Sequence, residues 1–145
     1  MNGAHLARRF FGSLSRRRPD AAAVAWAHGF LIPAEAALWD RMAVQDRRHS
    51  IEVARRFVRL RPDADRAEMA AALLHDVGKL DAALGTLGRV AATLFGPRTE
   101  RWRTYHDHEA RGAAMLAAIG SDVTTIGLLQ RRGAAAAALA EADDV

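Results

Sequence analysis

The run Leu73-Leu74-His75-Asp76-Val77-Gly78-Lys79 sets an imidazole and a carboxylate side by side at the end of a segment, Met69 to Leu74, that has no polar residue. Burying such a pair is costly unless a cation shares it. A carboxylate in the last turn of a helix also meets the negative end of the backbone dipole, at a cost of about 0.3–1 kcal/mol. A positive charge is therefore expected beside Asp76. Lys79 is one source, and a divalent cation is another. Neutral His75 offers a nitrogen and Asp76 an oxygen, a sulfur-free donor set that suits Mn, Fe, Co, Ni, Zn or Mg. The pair reads as half of a metal site.

The other ligands have to be carried in by other elements. His49, Val53, Phe57 and Leu60 follow one another at spacings of four, four and three, which puts His49 on the core-facing stripe of a helix. That helix is expected to run from an Asp46 cap to about Leu60, where Arg61-Pro62 stops it. Taken alone, His49 reads as a satisfied core histidine; next to His75 and Asp76 it is the natural third ligand. Near the end of the sequence, Asp143 lies four residues after Leu139, the one large apolar residue of an alanine-rich helix. It shares the inner face of Leu139, whereas Asp144 is rotated by about 100°. Asp143 is the expected fourth ligand, with an exposed acid at a fraying helix end as the alternative. Three or four protein ligands leave positions open for water and substrate.

The elements that must position these residues all read as helix. Alanine is abundant, apolar residues recur at three and four, and no stretch alternates with period two for long enough to make a strand. The expected fold is all-α, a compact multi-helix bundle. Its segments run from His5 to Arg17, from Ala21 to about Phe30 after an Asp20 cap, and from Pro33 to about Met42. The Asp46 helix and one from Asp65 to Asp76 follow, the latter capped at its C-terminus by Gly78. An amphipathic segment from Asp81 to Phe95, closed by Gly96-Pro97, leads to a helical stretch from Arg98 to Ile119, in one piece or two. Val123 to Arg132 and the alanine-rich helix after Gly133 complete the series. Trp26 and Trp39 are expected to pack, with His28 partly exposed.

Composition bounds the function. With 145 residues, half of them hydrophobic, the chain suits one domain with a proper core. It has no cysteine, which removes disulfide scaffolds, thiolate metal sites and cysteine nucleophiles. Residues 1–18 carry Arg8, Arg9, Arg16, Arg17 and Arg18 and no acid, so of the net charge of +4 they supply +5 and leave −1 for the rest. A near-neutral body argues against a nucleic-acid-binding domain. The first 18 residues read as a basic amphipathic helix that either packs Leu6, Phe10 and Leu14 on the domain of 19–145 or meets a membrane surface or an acidic partner. No apolar run is long enough to span a bilayer and no signal peptide is evident, so a soluble, cytoplasmic protein is expected.

The series His49, His75-Asp76, Asp143, with the local run His-Asp-Val-Gly-Lys, resembles the HD-domain superfamily of metal-dependent phosphohydrolases over residues 46–144. The resemblance implies an all-helical fold, preceded here by extra N-terminal helices, in which the four named residues hold one divalent cation. It also implies hydrolysis of phosphomonoesters or phosphodiesters, often of nucleotides, with Lys79 contacting or neutralising phosphate. Lys79 is the only lysine beside 20 arginines, and a point-charge ammonium does a different job from a planar guanidinium. Complementing the helix C-terminus is its other reading. In Tyr105-His106-Asp107-His108-Glu109-Ala110-Arg111-Gly112, His108 stands where the family places an active-site histidine, to bind a phosphate oxygen or protonate a leaving group, or it is an ordinary partly exposed histidine. His106 reads as structural or solvated. Where two-metal members carry a further histidine this chain has Gln130, a poor ligand, so a single-metal phosphomonoesterase fits best. The alternative is a non-catalytic or weakly active HD-fold module that binds a nucleotide or docks a partner through the arginine-rich N-terminus.

Overall fold

Short local signals start the helices, and one almost wholly apolar segment collects them. In the computed structural model, which describes the backbone of residues 17–83 and 97–144 and the side chains of 17–80 and 108–144, α1 (Ala21–His28) starts at Asp20, whose side chain accepts from the Ala23 amide at 2.8 Å. Pro33 opens α2 (Pro33–Arg41), where its missing N–H costs nothing. After these come α3 (Val44–Leu60), α4 (Arg66–Leu74), a 3₁₀ segment (Val77–Ala83), α5 (Pro97–Ala118), α6 (Val123–Leu129) and α7 (Ala136–Asp143). The described residues contain seven α-helices and no strand, and they pack as an all-α bundle. None of these helices is long and apolar enough to cross a membrane.

The centre of the bundle is α4. Every residue from Ala67 to Leu74 is buried, because its alanines let neighbours approach on several sides while Met69, Leu73 and Leu74 fill the space between them. It packs on α2, α3 and α6, and α3 carries α7 on a further face. Two polar links are buried in this core. Thr125 of α6 donates to the Ala67 carbonyl at 2.8 Å. Trp39 donates its indole N–H to Ser50 Oγ at 2.9 Å, and Ser50 in turn donates to the Arg47 carbonyl at 2.7 Å. Trp39 is fully buried, and Trp26 packs edge-on against Phe30.

Several local expectations need correcting. The fourth segment starts three residues earlier than expected, with Ala43 in place of Asp46 as its cap, so Asp46 lies in the first turn, where its charge faces the positive helix end. Leu60 is 45% exposed and leaves the buried stripe of Val53 and Phe57, since the helix ends there. The apolar helix ends at Leu74, and His75-Asp76 form a turn into the 3₁₀ segment rather than its last helical turn. Gly78 is not a left-handed cap. It lies within the 3₁₀ segment, where an added Cβ would stand 2.0 Å from the His108 carbonyl oxygen and 3.0 Å from the Gly112 amide nitrogen. It is glycine because α5 crosses directly over it. The 98–119 stretch is one helix, and the 123–132 segment stops at Leu129. The expected helix of 5–17 falls outside the described residues but for Arg17, which is not helical, and most of the expected Asp81–Phe95 segment also falls outside them.

Candidate metal centre

Three elements far apart in sequence bring their polar ends to one place. His49 comes from the second turn of α3, His75 from the turn after α4, and Asp143 is the last residue of α7. One donor atom from each lies within 4.8 Å of the other two. Asp143 Oδ1 is bracketed by His49 Nε2 at 2.9 Å and His75 Nε2 at 3.3 Å. The two imidazoles meet edge-on with their centroids 5.5 Å apart. Asp143 is held from behind as well: Arg56 of α3 donates Nε–H to the Ala142 carbonyl at 2.7 Å, tying the end of α7 to the helix that bears His49.

The protonation of His75 is decided by its backbone. Its Nδ1 lies 2.7 Å from the Ala72 carbonyl, an acceptor only, so Nδ1 carries the proton. In the neutral ring Nε2 is then a bare lone pair. That nitrogen is buried with no hydrogen-bond partner, and it faces Asp143 Oδ1 at 3.3 Å and Asp76 Oδ2 at 3.4 Å. A lone pair set against two carboxylates is repulsive unless a proton or a cation stands between them. Without a cation the proton takes that place: burial works against a charged His75, but Asp143 and Asp76 outweigh it and raise its pKa above the ordinary 6.5. The hydrogen bond from His49 and the adjoining His75 imidazole hold the Asp143 carboxyl far below the usual carboxylate range, against the opposing effect of burial. A divalent cation fits the same place. Donors sharing a cation at about 2.1 Å lie about 3.0–3.4 Å apart, which matches the His75 contacts.

Asp76 adjoins the triad through His75, without being one of its three members, and pairs with Lys79. Burial tends to raise the Asp76 pKa, yet His75 and Lys79 lower it. Lys79 Nζ donates to Asp76 Oδ2 at 2.9 Å and lies 3.7 Å from Asp46 Oδ1, and these acids raise its pKa against the effect of burial. In these positions Lys79 balances two carboxylates at the edge of the triad. The contact with Asp46 was not foreseeable, since it depends on where the 3₁₀ segment swings the lysine relative to α3.

The triad opens into a cavity of about 370 Å³ that Asp76, Lys79, His108 and Asp144 also line. His108 is partly buried, with its Nδ1 buried and unpartnered. Gln130 is exposed at the end of α6 and is not among the described residues lining this cavity; Arg131, which sequence reasoning missed, is. His106 has no described side chain. His28 lies outside the site, 2.7 Å from Asp40. Comparisons with protein-family models, with curated proteins and with solved structures return no match.

Proposed function

We propose that the protein is a metal-dependent phosphohydrolase of HD type, acting on a small phosphomonoester or nucleotide-like substrate at a single divalent cation held by His49, His75, Asp76 and Asp143. The observation that carries this reading is the orphaned, buried Nε2 of His75, fixed in the ligating tautomer by the Ala72 carbonyl and facing two carboxylates. When bound, the cation supplies a Lewis acid that polarises a phosphoryl oxygen and lowers the pKa of water.

The chain's own residues supply the rest. His75 keeps its proton on Nδ1 and presents Nε2; His49 would hold the cation through Nε2 once the proton it donates to Asp143 has moved to Nδ1 or to solvent. Lys79, at the cavity edge between Asp76 and Asp46, places a fixed positive charge where the phosphate enters, offsetting charge that builds on its oxygens. His108, on the same cavity, holds a proton for the leaving oxygen.

Elemental analysis of the purified protein, followed by a phosphomonoester and nucleotide panel with Mn, Co, Ni and Mg, tests the reading. Cation-dependent hydrolysis is expected, falling in His75→Ala by more than about 100-fold, the upper range for losing merely a partner of a metal ligand. Full activity in that variant would sink the reading. A stoichiometric cation with no hydrolysis across the panel would favour the non-catalytic nucleotide-binding module instead.

A further inference from the structure

The cavity that opens on the triad also reaches a second charged pair, Arg131 and Glu109. Arg131 follows α6 at the point where the chain turns left-handed. The Arg132 amide donates to the Gly127 carbonyl at 2.8 Å and the Arg131 amide to the Leu128 carbonyl at 3.0 Å, the closing bonds of a helix end that normally takes glycine. Arg131 has φ of +60°, and among the described residues it is the one non-glycine residue with positive φ. A Cβ is crowded in that conformation, so an arginine there runs against the local preference. Such an outlier calls for a use elsewhere.

Its ion pair does not supply one. Nε and Nη2 both converge on Glu109 Oε1, at 2.8 and 2.7 Å. The two side chains are 78% and 39% exposed, and a pair so open to water contributes little stability. Two contacts with one oxygen leave three of the five guanidinium donors not spent on that carboxylate. What the residue type does supply is a fork of donors on the cavity that holds the triad. Leu128, Leu129, Ala136 and Leu139 give that cavity an apolar lining, and among the described lining residues the only rings are imidazoles, so none of these residues offers a broad aromatic face to stack a base.

We propose that Arg131 is a specificity determinant that binds a second anionic group, carboxylate or phosphate, of a phosphate ester whose organic part is aliphatic. This rests on the phosphohydrolase reading of the triad and names the substrate class for it. Glu109 keeps the guanidinium in place in the free protein, and the incoming anion takes the donors that Glu109 leaves.

The matched probes are hexyl phosphate and 6-(phosphonooxy)hexanoate, assayed with the Mn-loaded full chain. The wild type is expected to favour the carboxylated ester by about tenfold or more in kcat/KM, the size of a hydrogen bond to a charged group, with the difference in KM. In Arg131→Gly that ratio falls to about one through KM, while the melting temperature stays level or rises, because glycine relieves the left-handed backbone. Arg131→Lys keeps part of the preference. An unchanged ratio in Arg131→Gly, or a parallel loss on both esters, overturns the proposal. If the wild type hydrolyses other members of the phosphomonoester and nucleotide panel but neither of these esters, the aliphatic substrate class is overturned; if it hydrolyses nothing in the panel, the hydrolase reading fails. The same ratio is then read from calorimetric binding of the two esters to the Mn-loaded protein, where equal affinities overturn the role of Arg131 and a preference lost in Arg131→Gly sustains it.

Discussion

His75 donates Nδ1–H to the Ala72 carbonyl and points Nε2 at Asp143 and Asp76, so its two nitrogens have separate duties fixed by the backbone. Asp143 takes contacts from both histidines on a single oxygen. Its neighbour Asp144 is exposed and lines only the cavity. The residues are adjacent and equally charged, so exchanging each for its amide isolates position from charge. Asp143→Asn is expected to weaken Mn binding by about 100-fold or more, because the amide removes the anion from the centre of the cluster. Asp144→Asn changes only the long-range field, which water and salt screen, and its affinity is expected to stay within a factor of about three. Isothermal titration of each variant with Mn reads the difference. Equal losses in the two variants would mean that Asp143 acts as general negative charge rather than as a ligand.

Among the elements, the crossing of α5 over the 3₁₀ segment matters most for the site, because it fixes the turn that carries His75 and Asp76. Gly78 permits that crossing: a methyl group there would collide with the His108 carbonyl at 2.0 Å, and backbone cannot yield as a side-chain tip can. Gly78→Ala is expected to cost about 3 kcal/mol or more, at or beyond the upper end of overpacking penalties, and to lower metal affinity as the 3₁₀ segment is pushed away. Chemical denaturation and metal titration of the same variant check both halves. Signals that act within a few residues were readable from sequence, such as the Asp20 cap, the Pro33 start and the three- and four-residue spacing that turned His49 inward. Asp143 was legible through its distance from Leu139 on a helix with one large apolar anchor. What could not be read depends on elements meeting: the role of Gly78 comes from α5, the second partner of Lys79 from α3, and the left-handed turn of Arg131 from how α6 ends rather than from any glycine beside it. Leu60 failed for a related reason, since periodicity continues to the last residue of a helix while burial does not.

Over the whole molecule, the triad joins α3, the turn after α4 and the end of α7, with His49 and Asp143 94 positions apart. Anything that binds these residues only in the folded state stabilises the entire bundle by mass action. The melting temperature is expected to rise with Mn concentration and return to its starting value with EDTA. pH then separates the two occupants of the place between His75 and the carboxylates. In the metal-free protein the His75 pKa is raised by folding, so its contribution is full below the unfolded value of about 6.5 and is lost as pH rises through the folded value. Asp143 and Asp76 have lowered pKa values; their contribution is present above the unfolded carboxylate value of about 3.9 and fades as pH falls through their folded values. Metal-free stability should therefore decline on the alkaline side, where His75 gives up its proton and its lone pair again faces two carboxylates. Saturating Mn should abolish that alkaline decline, because a cation does the same electrostatic work without titrating. It should do little on the acid side, where protons compete with the cation for its ligands. Thermal melts across the pH range, with and without Mn, test this directly. An alkaline decline of the same size in both series would show that the cation and the His75 proton do not share one place.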